Sequence, residues 1–257
     1  MDGPAFFTFS SNAAPRMRAR VAESLAIELA SGNRTKPVLI NLDPGATLRM
    51  KAGRQSREDP VARYGGALGS SGIPLLKPPE AADFLEDASK PRNAAWSESR
   101  SFIALMDGVP SAEAIPLFDA LCLAVTPSPA STAFVYGAVK SMQSAGKTLQ
   151  MRIMVVGEPR IEKTAEFYAA MAAEIRSLGS GFDEIVYAGF VAYDQEETEL
   201  ANSYGMPTVE AFPEGVTRGQ VKQAVRMLFA KDVSESGEDW AERERGFARY
   251  LRLQPPR

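Results

Sequence analysis

What most constrains the fold of this 257-residue chain is a series of short apolar runs set between longer segments of helical period. The runs are AFFTFS (5–10), PVLINLD (37–43), IPLLK (73–77), SFIALMD (101–107), ALCLAV (120–125), QMRIMVV (150–156) and EIVYAGFV (184–191). They are apolar at successive positions rather than alternate ones, so each strand must be buried on both faces. The intervening segments, among them VAESLAIELA (21–30), 130–145 and 161–178, read as helices. That alternation predicts an α/β fold with a mostly parallel central sheet and helices on both faces. In such a sheet ligands bind at the carboxyl edge, so the ends of these runs are where site residues belong.

The first such end is unusual. If the helix starts at Val21, the turn after the first strand is Ser11 to Arg20, SNAAPRMRAR, with no glycine and no lysine. A strand–loop–helix unit that holds nucleotide phosphates needs glycines so that backbone N–H groups close on the oxygens, a lysine for the outer phosphates and a hydroxyl for magnesium. The turn meets none of these requirements. Arg16, Arg18 and Arg20 instead put three cations near the positive end of a helix, where they suit an anion or an acidic partner, or form a solvated basic turn.

Composition removes other chemistries. The chain has no histidine, so zinc hydrolase sites and a Ser-His-Asp arrangement cannot be built. Its one cysteine, Cys122, lies inside ALCLAV and reads as a small buried hydrophobe. The net charge of -3 gives no overall field for a polyanion. No basic leader precedes an apolar core in MDGPAFFTFSS, and no run of 18 apolar residues occurs, so a cytoplasmic protein is expected.

Between Pro44 and Arg100 the pattern weakens, and one short strand and one short helix are expected among turns. The domain reading is 1–230 for the α/β unit and 231–257 for a polar stretch, KDVSESGED, followed by a detached or loosely docked amphipathic helix. Trp240, Phe247 and Leu251 form its apolar stripe, with Tyr250 beside them and arginines at 243, 245, 249 and 252. That composition leaves three uses open: an interfacial membrane helix at the inner face of the membrane, a partner-docking helix, or packing on its own domain.

Four further stretches carry a resemblance. Asn41-Leu42-Asp43-Pro44-Gly45 follows the second strand, FIALMDGVPS brings Asp107-Gly108-Val109-Pro110 after another, and LAVTPSPASTAFVYGAVKSM (123–142) places Thr126, Pro127 and Pro129 before a long helix. The fourth is GFVAYDQEETELANSYGMPTVEAFPEGVTRGQVKQAVRML (189–228). In this order, over residues 5 to 230, they resemble the MinD/ParA class of deviant P-loop ATPases, of the SIMIBI/MinD type, and within it the FlhG-like regulators of flagellar number. They correspond to that class's DxDP-like switch, its DTPAG-like switch, its TxPxP-like turn and its closing stretch, where a Pro-containing strand precedes the final helix.

The resemblance also locates the departures. It places Ala13 at the signature lysine, Ala14, Pro15 and Met17 at glycines, Arg18 at the loop lysine, Ala19 at the magnesium hydroxyl and Gly157 at the adenine-reading asparagine. Side chains at 13, 14 and 17 and a proline without N–H at 15 obstruct an anion cradle, and a guanidinium does not replace a lysine sterically. The implied function is a nucleotide-independent pseudo-ATPase acting as a cytoplasmic positioning or assembly scaffold, for flagella or cell-pole machinery, with no cofactor, no resident metal and no small-molecule substrate. Its partner would be an active MinD/FlhG-like relative or a flagellar component, with nucleic acid not expected. The alternatives are an active ATPase that uses ATP and magnesium through an arginine-containing loop, and a ParA-like DNA-segregation partner. Asp43 and Asp107 either hold a divalent ion, cap helices or pair with arginines, and an Arg18–Asp43 or Arg18–Asp107 pair filling the site is the arrangement preferred.

Overall fold

In the computed structural model, residues 5–32, 36–46, 48, 50–51, 59–68, 72–96, 100–147, 149–158, 160–177, 185–229 and 240–254 are described. The apolar runs become the strands β1 (Ala5–Ser11), β2 (Lys36–Leu42), β5 (Ile73–Leu76), β6 (Arg100–Asp107), β7 (Ala120–Val125), β8 (Gln150–Val156) and β9 (Ile185–Val191). Two short strands, β3 (Met50–Lys51) and β4 (Gly66–Leu68), extend one edge. The order among the described strands is β3-β4-β5-β2-β6-β1-β7-β8-β9. From β5 to β9 every neighbouring pair is parallel, whereas β4 runs antiparallel to both β3 and β5.

Among the described residues the α-helices are α1 (Pro15–Ser31), α2 (Pro78–Ala88), α3 (Pro129–Ala145), α4 (Ile161–Ser177), α5 (Gln195–Ser203), the single turn α6 (Thr208–Ala211), α7 (Val216–Leu228) and α8 (Trp240–Arg252). The pleat of β1 sorts them into two layers, because successive side chains point to opposite faces. Phe6 enters a core shared with α2, α3, α4 and α8, and Phe7 and Phe9 enter a second core shared with α1, α6 and α7. Both cores bury whole aromatic side chains, each worth about 1.5 to 3 kcal/mol of transfer free energy.

Three expectations are corrected. Among the described residues between 44 and 100 there are three strands and one α-helix rather than one of each, because a β4–β5 hairpin adds an antiparallel edge that short runs such as GAL do not announce. The Pro-containing strand implied before the final helix is instead α6, with Pro207 as its N-cap and Glu210 in its first turn, where an acid suits the helix dipole.

The third correction concerns α8, which is neither detached nor loosely docked. Phe247, Ala248 and Leu251 are fully buried, and Phe247 meets Phe6 edge-on at 5.3 Å and Phe118 at 5.4 Å. The apolar stripe therefore closes the protein's own core beside α2, which removes Phe247 and Leu251 from any lipid or partner surface in this conformation. Tyr250 stacks on Phe247 at 6.2 Å and is half-buried. Arg243 binds Asp119 at 2.9 Å and lies over the Phe6 ring, and Arg252 binds Asp83 and Glu86, each at 2.8 Å. The Trp240 side chain and the polar stretch 231–239 lie outside the described residues. Among the described residues no helix is long and apolar enough to cross a membrane.

Candidate functional site

The carboxyl ends of β1, β2, β6 and β7 meet around the first turns of α1. This helix begins at Pro15, six residues earlier than the apolar period suggests, so Asn12, Ala13 and Ala14 alone separate it from β1. Proline at the first helical position has its φ preset and loses an N–H that has no intrahelical partner anyway, and the Met, Arg and Ala that follow are good helix formers. The N–H groups of Met17 and Arg18 donate to the Ala14 carbonyl at 2.8 and 3.0 Å, and that of Ala13 donates to Ser11 Oγ at 3.0 Å.

Arg18 turns inward from this first turn and is buried. Its Nε donates to Asp43 Oδ2 at 2.6 Å, Nη1 donates to the Ala13 carbonyl at 3.0 Å, and Nη2 lies 3.1 Å from Asp107 Oδ1. Both ion pairs considered for Arg18 are thus present, in one three-point arrangement. The Asp43 carboxylate that accepts its Nε–H holds the Arg18 proton more tightly than usual, against the opposing effect of burial. Asp43 has no exposed side-chain surface, and its other oxygen accepts the Gly45 N–H at 2.8 Å. A Cβ at Gly45 would sit 3.3 Å from that oxygen and 3.4 Å from Pro15, so a side chain there would press the β2 loop away from α1. Asp107 is half exposed, and Gly108 after it adopts φ +81°, which favours glycine.

The three arginines do not act together. Arg18 faces the strand ends, while Arg16 and Arg20, four residues apart on another face of α1, point away from it. Arg16 is exposed, and Arg20 lies over the Tyr193 ring with its guanidinium carbon 5.5 Å from the centroid. Ala19 is buried. Gly157, after β8, has φ +91° and donates its N–H to the Val191 carbonyl at 3.0 Å.

A second network at this edge has no counterpart in the sequence reading. Asn12 donates to Ser131 Oγ at 2.7 Å and accepts the Thr126 N–H at 3.0 Å, and Ser131 donates to the Thr126 carbonyl. Ser128 Oγ lies 3.3 Å from Ser131 Oγ. The TPSP turn is thereby fixed to the β1–α1 turn. Its only signal was a side-chain amide at a strand end opposite a Ser-rich helix start. Cys122 is fully buried, its thiol pushed up to about 12 by desolvation, which fits a core residue rather than a nucleophile. Among the described residues no three acids or thiols gather where they would hold a metal ion.

The sequence matches no family model and no curated protein. Solved structures do match in fold. The MinD cell division protein of Aquifex aeolicus is 13% identical, with a TM-score of 0.58 over 90% of this chain and 98% of that one. A chain of the MinC:MinD cell division protein complex from Aquifex aeolicus gives 12% and 0.59 over the same shares. A ParA family ATPase from Chlorobium tepidum TLS is 13% identical, at 0.59 over 86% of this chain and 98% of its own. A putative plasmid partition protein from Borrelia burgdorferi B31, bound to AMPPNP, is 10% identical, at 0.53 over 88% and 98%. The chain therefore has the MinD/ParA P-loop NTPase-like fold.

Proposed function

We propose that this chain is a nucleotide-independent pseudo-ATPase of the MinD/ParA fold that works by binding a protein partner, as a positioning or assembly scaffold. The observation that carries this reading is the Arg18 guanidinium held by Asp43, Asp107 and the Ala13 carbonyl. A buried cation bound between two carboxylates offsets their charge from within the chain, the service that magnesium and a lysine give where a nucleotide binds.

The residues at this edge do not fit a magnesium nucleotide. A phosphate cradle needs several free N–H groups, yet those of Ala13, Met17 and Arg18 are committed locally and Pro15 has none. Ala19, at the position the resemblance gives to the magnesium hydroxyl, has no side-chain oxygen to offer. Swinging Arg18 out to meet phosphates would leave Asp43 buried and unpaired, a cost of about 3 to 5 kcal/mol.

Partner binding draws support from the fold's solved relatives, one of which is a MinC:MinD complex. The FlhG resemblance makes an active MinD-like relative or a flagellar component the first partner to test. The reading itself is tested by a thermal-shift titration with ATP or ADP and magnesium. A ligand at a hundredfold its dissociation constant adds about 2.7 kcal/mol, a rise of roughly 5 °C or more. A flat melting temperature up to millimolar nucleotide is expected, and a clear rise would overturn the proposal in favour of a live ATPase.

A further inference from the structure

Behind the Arg18 network, on the opposite flank of α1, lies a cavity of about 360 Å³. Arg16, Ala19, Arg20 and Glu23 of α1 form one wall. The other comes from Asn202 of α5 and from Met206, Pro207 and Thr208 leading into α6. Among the described residues no carboxylate pairs with Arg16 or Arg20. Both cations stand in the first two turns of α1, where the helix dipole opposes them and no acid occupies the first turn.

Arg20 is also held in place. Its guanidinium lies over Tyr193, whose hydroxyl donates to Ser24 Oγ on α1 at 3.1 Å. A guanidinium stacked on a ring keeps its N–H edges available and loses little freedom when it binds. We propose that this cavity receives an acidic side chain of a protein partner, with Arg16 and Arg20 as its ligands. The inference names partner chemistry for the function proposed above and rests on that reading.

Charge selects the ligand class. Two guanidiniums and the Glu23 carboxylate leave one net positive charge, which matches a carboxylate and poorly matches a polyphosphate. Ala19, Met206 and Pro207 supply an apolar wall for the aliphatic stem of such a residue. A protein is favoured over a free small acid because α5, which contributes Asn202, also presents Leu200 at 47% exposure, and Tyr204, which caps its carboxyl end, is 65% exposed. An exposed aromatic beside a cationic recess is the composition of a protein-docking surface.

The test is an NMR titration of the full chain with the acetylated, amidated tripeptide Glu-Leu-Glu, using Gln-Leu-Gln as the neutral control and inorganic pyrophosphate as the phosphate arm. Saturable shifts at Arg16, Arg20, Asn202 and Thr208 with Glu-Leu-Glu alone are expected. Arg16→Ala and Arg20→Ala should each weaken them at least tenfold, while Arg160→Ala, whose guanidinium is exposed and bound to Glu158, should leave them unchanged. Equal shifts with Gln-Leu-Gln, tighter saturation by pyrophosphate, or indifference to Arg16→Ala would overturn the proposal. Arg16 is exposed, so its variant remains informative even if Arg20→Ala destabilises the fold. Magnesium ATP in the same sample separates the two claims: shifts at Ala13, Arg18 and Asp107 would sink the nucleotide-independent reading and leave the cavity result standing.

Discussion

Arg18 and Arg252 each bind two carboxylates, yet they sit in opposite physical situations. Arg18 is a buried cation whose partner Asp43 has no exposed side-chain surface. Arg252 lies on the surface of α8, half exposed like Asp83 and Glu86, above Phe247 and Leu251 that are wholly buried. At the carboxyl edge the ions are the fastening, because removing one leaves the other desolvated and unpaired. At α8 the aromatic packing is the fastening and the surface ions are screened by solvent. A polar edge kept closed by one guanidinium is the kind of place a fold can change use without losing its core.

Substitutions should separate the two regions in a definite order. Phe247→Ala should cost the most, about 3 to 5 kcal/mol in chemical denaturation, since it empties a site bounded by Phe6, Phe118 and Tyr250. Arg18→Ala should follow at about 3 kcal/mol. The double change Arg18→Met with Asp43→Leu should recover more than half of that loss, because no buried charge is then stranded and Asp107 is half exposed to water. A double variant as unstable as Arg18→Ala alone would mean that the pair's geometry, not the stranded charge, sets the cost. Asn12→Ala, which unties β1 from the TPSP turn, should cost about 1 to 3 kcal/mol by the same assay.

The smaller effects belong to the α8 side. Tyr64 rests edge-on against Phe84 of α2 and donates to Asp87, and burial followed by that bond pushes its pKa up to about 12 from the usual 10. The folded state therefore keeps a proton that the unfolded chain loses above pH 10, and stability should fall as pH rises from 10 to 12. Tyr64→Phe should flatten that stretch of a stability–pH curve. Arg252→Ala should leave the denaturation midpoint where it is. A drop as large as that of Arg18→Ala would erase the contrast between the two arginines.

The central sheet was legible because strands buried on both faces are apolar at successive positions, as in ALCLAV and QMRIMVV. The start of α1 was not, since Pro15 reads as a breaker in a turn although it is also a good first residue of a helix. With that start misplaced, Arg16, Arg18 and Arg20 looked like one cluster, whereas helical geometry sends Arg18 to a different face from its neighbours. The pairing of Arg18 with Asp43 and Asp107 could be anticipated because strand ends converge at the carboxyl edge of a parallel sheet. The Asn12–Ser131 link joins residues 119 positions apart through single hydrogen bonds, and an amide at a strand end and a Ser-rich helix start do not by themselves say that they meet. The stripe on α8 was visible, but amphipathicity states only that a face is covered, and Phe6 and Phe118 cover it here.

The most direct measurement is the Nε–H resonance of Arg18, followed by nitrogen-15 NMR with and without 5 mM magnesium ATP. A proton on a nitrogen that lies 2.6 Å from a buried carboxylate oxygen should exchange slowly with water and keep its shift when nucleotide is added. A resonance that exchanges as fast as that of an exposed arginine, or that moves on adding magnesium ATP, would contradict a site closed by its own guanidinium.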